Sequence, residues 1–123
     1  MKTTKKDFEL FIAETERLMK EWELGAWHPG WEHKNLKRAN ATCQADGDCY
    51  NVTFCLSTDI DFDKFTFRQI KKEDFIKRVA KHEVIHLLLG RLMHCANARW
   101  CTDSEINEAE EEFVRKLEII IKT

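Results

Sequence analysis

The first apolar pattern along the chain has a helical period. Between residues 7 and 24, apolar side chains recur at intervals of about three or four residues, which places them on one face of a helix. They are Phe8, Phe11, Ile12, Leu18, Met19 and Trp22. Thr4 followed by Asp7 resembles a capping box, and Gly25 is a typical helix terminator. The pattern predicts an amphipathic N-terminal helix over about residues 7–24.

The middle of the chain has the shorter period of strands. Residues 36–45 alternate long polar and small side chains, and Asp46-Gly47 then supplies residues typical of a tight turn. From Tyr50 to Ser57 every second residue is apolar, which is the clearest strand pattern in the chain. The segment 27–31 fits neither period and is predicted to be irregular. We therefore expect a small sheet that contains an antiparallel hairpin.

Two helices are predicted in the second half. The first runs from about Lys72 to Leu89, is apolar on every side from residue 84 onward, and is therefore expected to be buried on every side. Gly90 stops or loosens it. A second capping box at residues 102–105 opens a last helix that extends to about Lys122. The order helix, strands, helix, helix predicts a single α+β domain over residues 1–123.

The composition excludes several classes of protein. The 20 Lys and Arg against 22 Asp and Glu give a formal net charge of −2, so the basic excess of a nucleic-acid-binding protein is absent. Nucleic-acid binding as an accessory activity would depend on two local basic groups, which a solvated basic face explains equally well. They are Lys34, Lys37 and Arg38, and Lys71, Lys72, Lys77, Arg78 and Lys81. No apolar run reaches membrane-spanning length, and the N-terminus lacks the apolar stretch of a signal peptide. We expect a cytoplasmic protein with no membrane partner.

The five cysteines do not form a recognisable framework. Their number is odd, and five residues separate Cys43 from Cys49 and Cys95 from Cys101. In zinc ribbons, roughly two to four residues separate the paired thiols. In a reducing compartment we expect free thiols that pack as small apolar residues. Cys43 and Cys49 flank the predicted turn and could face each other across a hairpin, so the sequence leaves open whether either pair is bonded.

The sequence His82-Glu83-Val84-Ile85-His86 lies inside the predicted buried helix. Residues four apart share a helix face, so both imidazoles can point at one ion, while Glu83 lies close enough to act on a water molecule. Core histidines bonded to carbonyl groups are the alternative, but two His and one Glu among apolar residues are costly without a common partner. The motif predicts a Zn²⁺ site with Glu83 as the catalytic residue.

The last helix offers carboxylates for a third ligand. They are Glu105, Glu108, Glu110, Glu111 and Glu112. The apolar arc of this helix comprises Ile106, Phe113, Leu117, Ile120 and Ile121, with Val114 at one edge. Glu110 lies inside the arc, where a carboxylate without a partner is expensive, so burial favours Glu110 as the ligand. The other glutamates are explained as a solvated face that complements the helix dipole.

The chain resembles zincin metallopeptidases of the gluzincin group, reduced to the size of the minigluzincins, and is similar to SprT-like and phage-encoded metallopeptidases. The resemblance is carried by residues 82–86 and by Glu108, which lies 22 residues after His86 in the string Ile106-Asn107-Glu108-Ala109. It implies that Glu108 is the third zinc ligand, with Glu110 as the close alternative from burial. It also implies that Glu112 supports a ligand histidine, although gluzincins have Asp there.

The resemblance further implies a minimal zincin-like domain that hydrolyses peptide bonds in a peptide or protein substrate bound in extended form. An edge strand pairs with substrate in such folds, and the strand from Tyr50 to Ser57 is the candidate. No motif identifies the transition-state-stabilising group of the larger family members. Tyr50, His94 and Arg99 are candidates, although a role as a loop or surface histidine is the simpler interpretation of His94.

A second hypothesis is a non-enzymatic, zinc-stabilised regulatory or protein-interaction module. A chain of 123 residues leaves little room for a substrate cleft. Trp22, Trp27 and Trp31 would then form a docking surface, although a core role explains the same rings. The sequence determines neither the substrate nor the oligomeric state. Replacing Glu83 separates the two hypotheses, because only the enzyme needs a general base.

Overall fold

The computed structural model describes residues 1–61, 71–98 and 100–121. Within them the elements are α1 (Lys5–Glu21), β1 (His28–Lys34), β2 (Ala41–Asp46), β3 (Asn51–Ser57), α2 (Lys72–Leu88), α3 (Gly90–Asn97) and α4 (Asp103–Ile120). The α+β class is confirmed. Helix α1 begins at the predicted capping box: the Thr4 hydroxyl accepts from the Asp7 amide, and the Asp7 carboxylate accepts from the Thr4 amide. The predicted end of the last helix at Lys122 lies outside the described residues.

The three strands form one mixed sheet in the order β1-β3-β2. Strand β1 runs parallel to β3, and β2 runs antiparallel to it. The prediction that the Tyr50–Ser57 strand lies at an edge is therefore wrong. Residues 54–57 of this strand are buried on both faces, including Cys55 and Ser57 at its polar positions, as befits a central strand. Among the described residues no strand pairs with the outer edge of β2.

Strand β1 was not expected from the sequence, because Pro29 and Gly30 interrupt its pattern. Proline lacks an amide hydrogen but is tolerated on an edge strand, which is where β1 lies. Trp31 of β1 stacks on Phe54 with ring centroids 5.3 Å apart. Trp22 and Trp27 are each 5% exposed. The core role is therefore confirmed for Trp22 and Trp27, and the half-buried Trp31 packs against the same core, as the alternative to a docking surface predicted.

The structure corrects the start of one strand of the predicted hairpin and confirms the apolar face of the other. Strand β2 begins only at Ala41, so the prediction of a strand from residue 36 is wrong for residues 36–40. The alternating apolar residues of β3, Val52, Phe54 and Leu56, are all at most 2% exposed. They face α1 and α2, which pack against each other on the same side of the sheet.

The break between α2 and α3 occurs at the predicted glycine. A Cβ atom added to Gly90 would lie 3.3 Å from the Ala45 Cβ and 3.3 Å from the Trp27 ring, so a larger residue here would have to displace these neighbours by a few tenths of an ångström. Val84, Leu87 and Leu88 of α2 are buried. Ile85, however, is 44% exposed, so the prediction of a helix buried on every side is wrong.

All five cysteines are free, which confirms the prediction of unpaired thiols. The Cys49 thiol donates to the Asp46 carboxylate at 3.0 Å and so turns away from Cys43, whose register partner is Phe54. The described helices include none with both the length and the apolar character needed to cross a bilayer.

Candidate metal centre

One turn of α2 carries the two histidines of the predicted site. The Nε2 atoms of His82 and His86 lie 3.3 Å apart, and both side chains are exposed. One ligand atom from each of His82, Glu83 and His86 can be chosen so that all three lie within 4.8 Å of one another. The helix therefore brings together the three residues that the motif predicted.

The spacing of the two imidazoles fits a shared zinc ion. Two nitrogen ligands at the usual Zn–N length, at tetrahedral angles, are separated by about 3.3–3.4 Å. A neutral N–H hydrogen bond is usually shorter, with heavy atoms about 2.9–3.0 Å apart. The observed 3.3 Å between the Nε2 atoms matches the first arrangement better than the second. Because both rings are exposed, an ion held here would keep a coordination position open to solvent and substrate.

Glu83 differs from the histidines in its burial. Its side chain is 6% exposed, so its carboxylate is largely removed from solvent. Burial raises the pKa of the Glu83 carboxyl to about 7. A carboxylate with a pKa near neutrality, with an oxygen within 4.8 Å of a ligand atom of each histidine, is suited to accepting and returning a proton.

Two cavities flank this turn of α2, one on each side. The larger, of about 650 Å³, is lined by His86 together with Cys43 and Ala45 of β2. The smaller, of about 400 Å³, is lined by His82, Glu83 and the first residue of β2, Ala41. Residues 41, 43 and 45 share one face of β2, so this edge strand runs past both cavities. Edge strand β2, and not β3, therefore lies beside the turn that carries His82 and His86.

His94 lies in the larger cavity with His86. Its Nε2 contacts the Asp48 carboxylate at 2.9 Å, and the ring packs on Gly47, where an added Cβ would lie only 2.7 Å from the His94 Cγ. A side chain held at both ends in this way is oriented. Tyr50 instead packs on Trp27, with ring centroids 4.9 Å apart, and Arg99 lies outside the described residues.

The predicted third ligands are placed differently from the histidines. Glu112 accepts from the Arg91 guanidinium at 2.6 Å, and Glu108 lies 3.6 Å from the same group. Glu110 is exposed, and the buried residue of this face is Ala109 at 2%. The prediction that Glu110 faces the core is wrong, because the buried face of α4 is centred one residue earlier. Of the described residues in α4, none joins the His82, Glu83 and His86 group.

The apolar arc predicted for α4 is only partly buried. Ile106, Phe113, Leu117 and Ile120 are half-buried, as the wheel predicts. Val114 is 40% exposed and Ile121 is 60% exposed, so the arc was drawn too wide on that side.

Sequence analysis missed Arg91, which joins α3 to α4. A usable signal existed, since a guanidinium in an otherwise apolar run needs a carboxylate partner, and the last helix is the acidic element. Burial and the bond to Glu112 act in opposite directions, and the bond to Glu112 prevails and raises the pKa of Arg91. The role of Ala41, Cys43 and Ala45 in lining the site had no signal of this kind.

Comparison of the chain with protein-family models, with curated proteins and with solved structures finds no match. The interpretation of this site therefore depends on its geometry and on the sequence motif.

Proposed function

We propose that this protein is a zinc-dependent metallopeptidase. The observation that carries the proposal is the pair of Nε2 atoms of His82 and His86, 3.3 Å apart beside the buried Glu83. Zinc, when bound, supplies a Lewis acid that polarises the scissile carbonyl and makes water acidic enough to attack it. This chemistry needs an open site with a carboxylate base, and the turn 82–86 offers both.

Residues of the chain would bind the ion, transfer the proton and stabilise the oxyanion. His82 and His86 hold the ion through Nε2. The Glu83 carboxylate takes the proton of the attacking water and returns it to the departing amine nitrogen. His94, oriented by Asp48 in the same cavity as His86, is the candidate that donates a hydrogen bond to the oxyanion.

The substrate in this proposal is a peptide or protein segment in extended form. The outer edge of β2 offers backbone donors and acceptors that no described strand uses, so an extended peptide can pair with it. A peptide lying along β2 passes both cavities, which can receive its side chains on either side of the scissile bond. An unfolded protein segment meets this requirement better than a folded one.

The third protein ligand in this proposal is Glu108, as the gluzincin resemblance implies. Its carboxylate is 67% exposed, and its contact with Arg91 is long at 3.6 Å. An exposed ion pair of this kind is worth only about 0.2–1 kcal/mol, so Glu108 can exchange Arg91 for a metal ion at low cost. Glu112 keeps the closer contact with Arg91 and fixes α4 while Glu108 moves.

The test is the variant Glu83→Gln, which preserves size and hydrogen bonding but removes the base. We expect zinc content and the fold to survive, while hydrolysis of an unfolded protein substrate falls by at least about 100-fold. Glu73→Gln, an exposed position on the same helix, is the matched control and should keep full activity.

Equal hydrolysis by the wild type and by Glu83→Gln would overturn the proposal. Stoichiometric zinc with no hydrolysis of any unfolded substrate by the wild type would favour the second hypothesis, the non-enzymatic module.

A further inference from the structure

The two cavities that flank the turn with His82 and His86 differ in the charge of their walls. The larger cavity has no Lys, Arg, Asp or Glu among the described residues that line it. The smaller cavity, of about 400 Å³, is lined by Arg78 and Glu83. Arg78 is exposed whereas Glu83 is buried, so the guanidinium is the charged group that a ligand entering from solvent meets first.

Arg78 lies one helical turn before the two histidines. It precedes His82 by four residues in α2, so both side chains lie on one face of the helix, about 6 Å apart along its axis. A guanidinium presents five N–H donors in a planar fork that matches the two oxygens of a carboxylate. An extended peptide advances about 3.3 Å per residue, so a carboxylate held by Arg78 belongs to a residue within about two positions of the bond that lies beside His82.

We propose that the smaller cavity is a carboxylate subsite, in which Arg78 binds an acidic group of the substrate within about two residues of the scissile bond. The inference rests on the proposed peptidase function and narrows its substrate class to extended peptides that carry an acid beside the cleaved bond. Phe75, Val79 and Ala41 give the same cavity an apolar wall. This wall can contact the methylene groups of a glutamate side chain while Arg78 binds its carboxylate.

The charges around Arg78 identify it as the group that carries this preference. Glu83 follows Arg78 by five residues, about 140° round the helix, so a ligand can contact the guanidinium from the side away from the buried carboxylate. A further cavity, of about 490 Å³, adjoins this one at residues 39–40. Its charged lining residues are Lys37, Arg38, Asp59 and Asp61. Cations and carboxylates balance there, so the neighbouring loop adds no net charge and the selectivity depends on Arg78.

The test compares pools of decapeptides that differ only in charge. Each pool combines randomised apolar residues with one class of polar residue: Glu and Asp, Gln and Asn, or Lys and Arg. All are amidated at the C-terminus. With the zinc-loaded full chain, the acidic pool should be hydrolysed at least about threefold faster than the Gln and Asn pool, as an exposed ion pair allows. Mass analysis of the products should place Glu or Asp within about two residues of the cleaved bond, on one side of it.

Three variants separate the role of Arg78 from a general effect of charge. Arg78→Gln should remove the preference for the acidic pool, and Arg78→Glu should transfer it to the Lys and Arg pool, both with unchanged zinc content. Lys77→Gln is the matched control and should keep the wild-type preference, because Lys77 is the adjacent exposed cation and does not line the cavity.

Binding can also be measured without hydrolysis, in the variant Glu83→Gln. Fluorescence anisotropy should show that the acidic pool binds this variant at least about threefold more tightly than the Gln and Asn pool. Adding Arg78→Gln to the same variant should make the two affinities equal.

The carboxylate can come from a side chain or from the end of the peptide chain. A Gln and Asn pool with a free C-terminal carboxylate distinguishes these sources. Removal of C-terminal residues from this pool, abolished by amidation and by Arg78→Gln, would assign the subsite to the chain terminus. A preference among the amidated pools assigns it to a side chain.

Hydrolysis with no charge preference at side chains or terminus, or a preference that survives in Arg78→Gln, would overturn the carboxylate subsite and leave the proposed peptidase intact. No hydrolysis of any pool by the wild type would overturn the proposed function. The anisotropy measurement would then still decide on the subsite, because equal binding of the acidic and neutral pools would overturn it.

Discussion

Replacing Glu108 by Gln tests whether this residue is the third zinc ligand of the proposed site. The amide keeps the shape of the side chain but cannot supply an anionic oxygen to a metal ion. Glu110→Gln is the matched control, because both residues lie on α4, both are exposed and they are only two positions apart. If Glu108 is the third ligand, zinc affinity should fall in the first variant and stay unchanged in the second.

The expected magnitude follows from the contacts. To bind zinc, Glu108 must give up its 3.6 Å contact with Arg91, an exposed pair worth about 0.2–1 kcal/mol. That release lowers the affinity of the wild type by a factor of no more than about five. Loss of an outer partner of a metal ligand typically lowers metal affinity by about 10–100-fold. Loss of the ligand itself should lower zinc affinity by more than that. We therefore expect a loss above about 100-fold for Glu108→Gln.

The assay is a competition titration with a chromophoric zinc chelator, at fixed pH because binding releases protons. Arg91→Gln adds a test of opposite sign: it frees Glu108 and should raise zinc affinity by up to about fivefold, while it destabilises the fold by leaving the Glu112 carboxylate unpaired. Wild-type affinity in Glu108→Gln would refute the assignment, and a loss confined to Glu110→Gln would support the ligand favoured by the helical wheel.

Two further predictions concern other parts of the site. In His82→Ala, metal analysis should find no stoichiometric zinc, and zinc should no longer raise the melting temperature as it does in the wild type. The control Cys43→Ser should retain both properties. Full zinc content in His82→Ala would place the metal elsewhere. Gly47→Ala should displace the His94 ring, because the new Cβ would lie 2.7 Å from its Cγ. Steady-state kinetics should then show a lower kcat with unchanged zinc content, and an unchanged kcat would remove His94 from the mechanism.

Three of the four helices, α1, α2 and α4, were the most predictable part of the fold, because each combines a periodic apolar face with a local boundary signal, whereas α3 (Gly90–Asn97) was not predicted. Thr4 and Gly90 mark such boundaries, and both behave as the sequence indicates. Strand β1 was missed because its pairing with β3 is non-local and Pro29 masks its pattern. The choice of edge strand failed for the same reason: alternation at 50–57 describes the strand but says nothing of its neighbours.

The candidate site was also only partly predictable from the sequence. His82, Glu83 and His86 could be brought together from sequence because they lie within about one turn of a single helix. The orientation of α4 could not be predicted, because a helical wheel gives equal weight to all apolar residues. Packing of Ala109 against the core and the Arg91–Glu112 bond rotated Glu110 outward instead.

The placement of both histidines on one turn of α2 also bears on how the chain folds. Ordering about one turn of helix brings both imidazoles together, so under the proposed zinc site the two histidines of the unfolded chain would bind zinc without closing a long loop. Residual affinity of this histidine pair in the unfolded state would reduce the stabilisation that zinc gives the native state, and only the contribution of Glu108 from α4 would depend on the complete fold. The same ion would act as a nucleus for α2, so zinc added at the start of refolding should accelerate folding more than it slows unfolding.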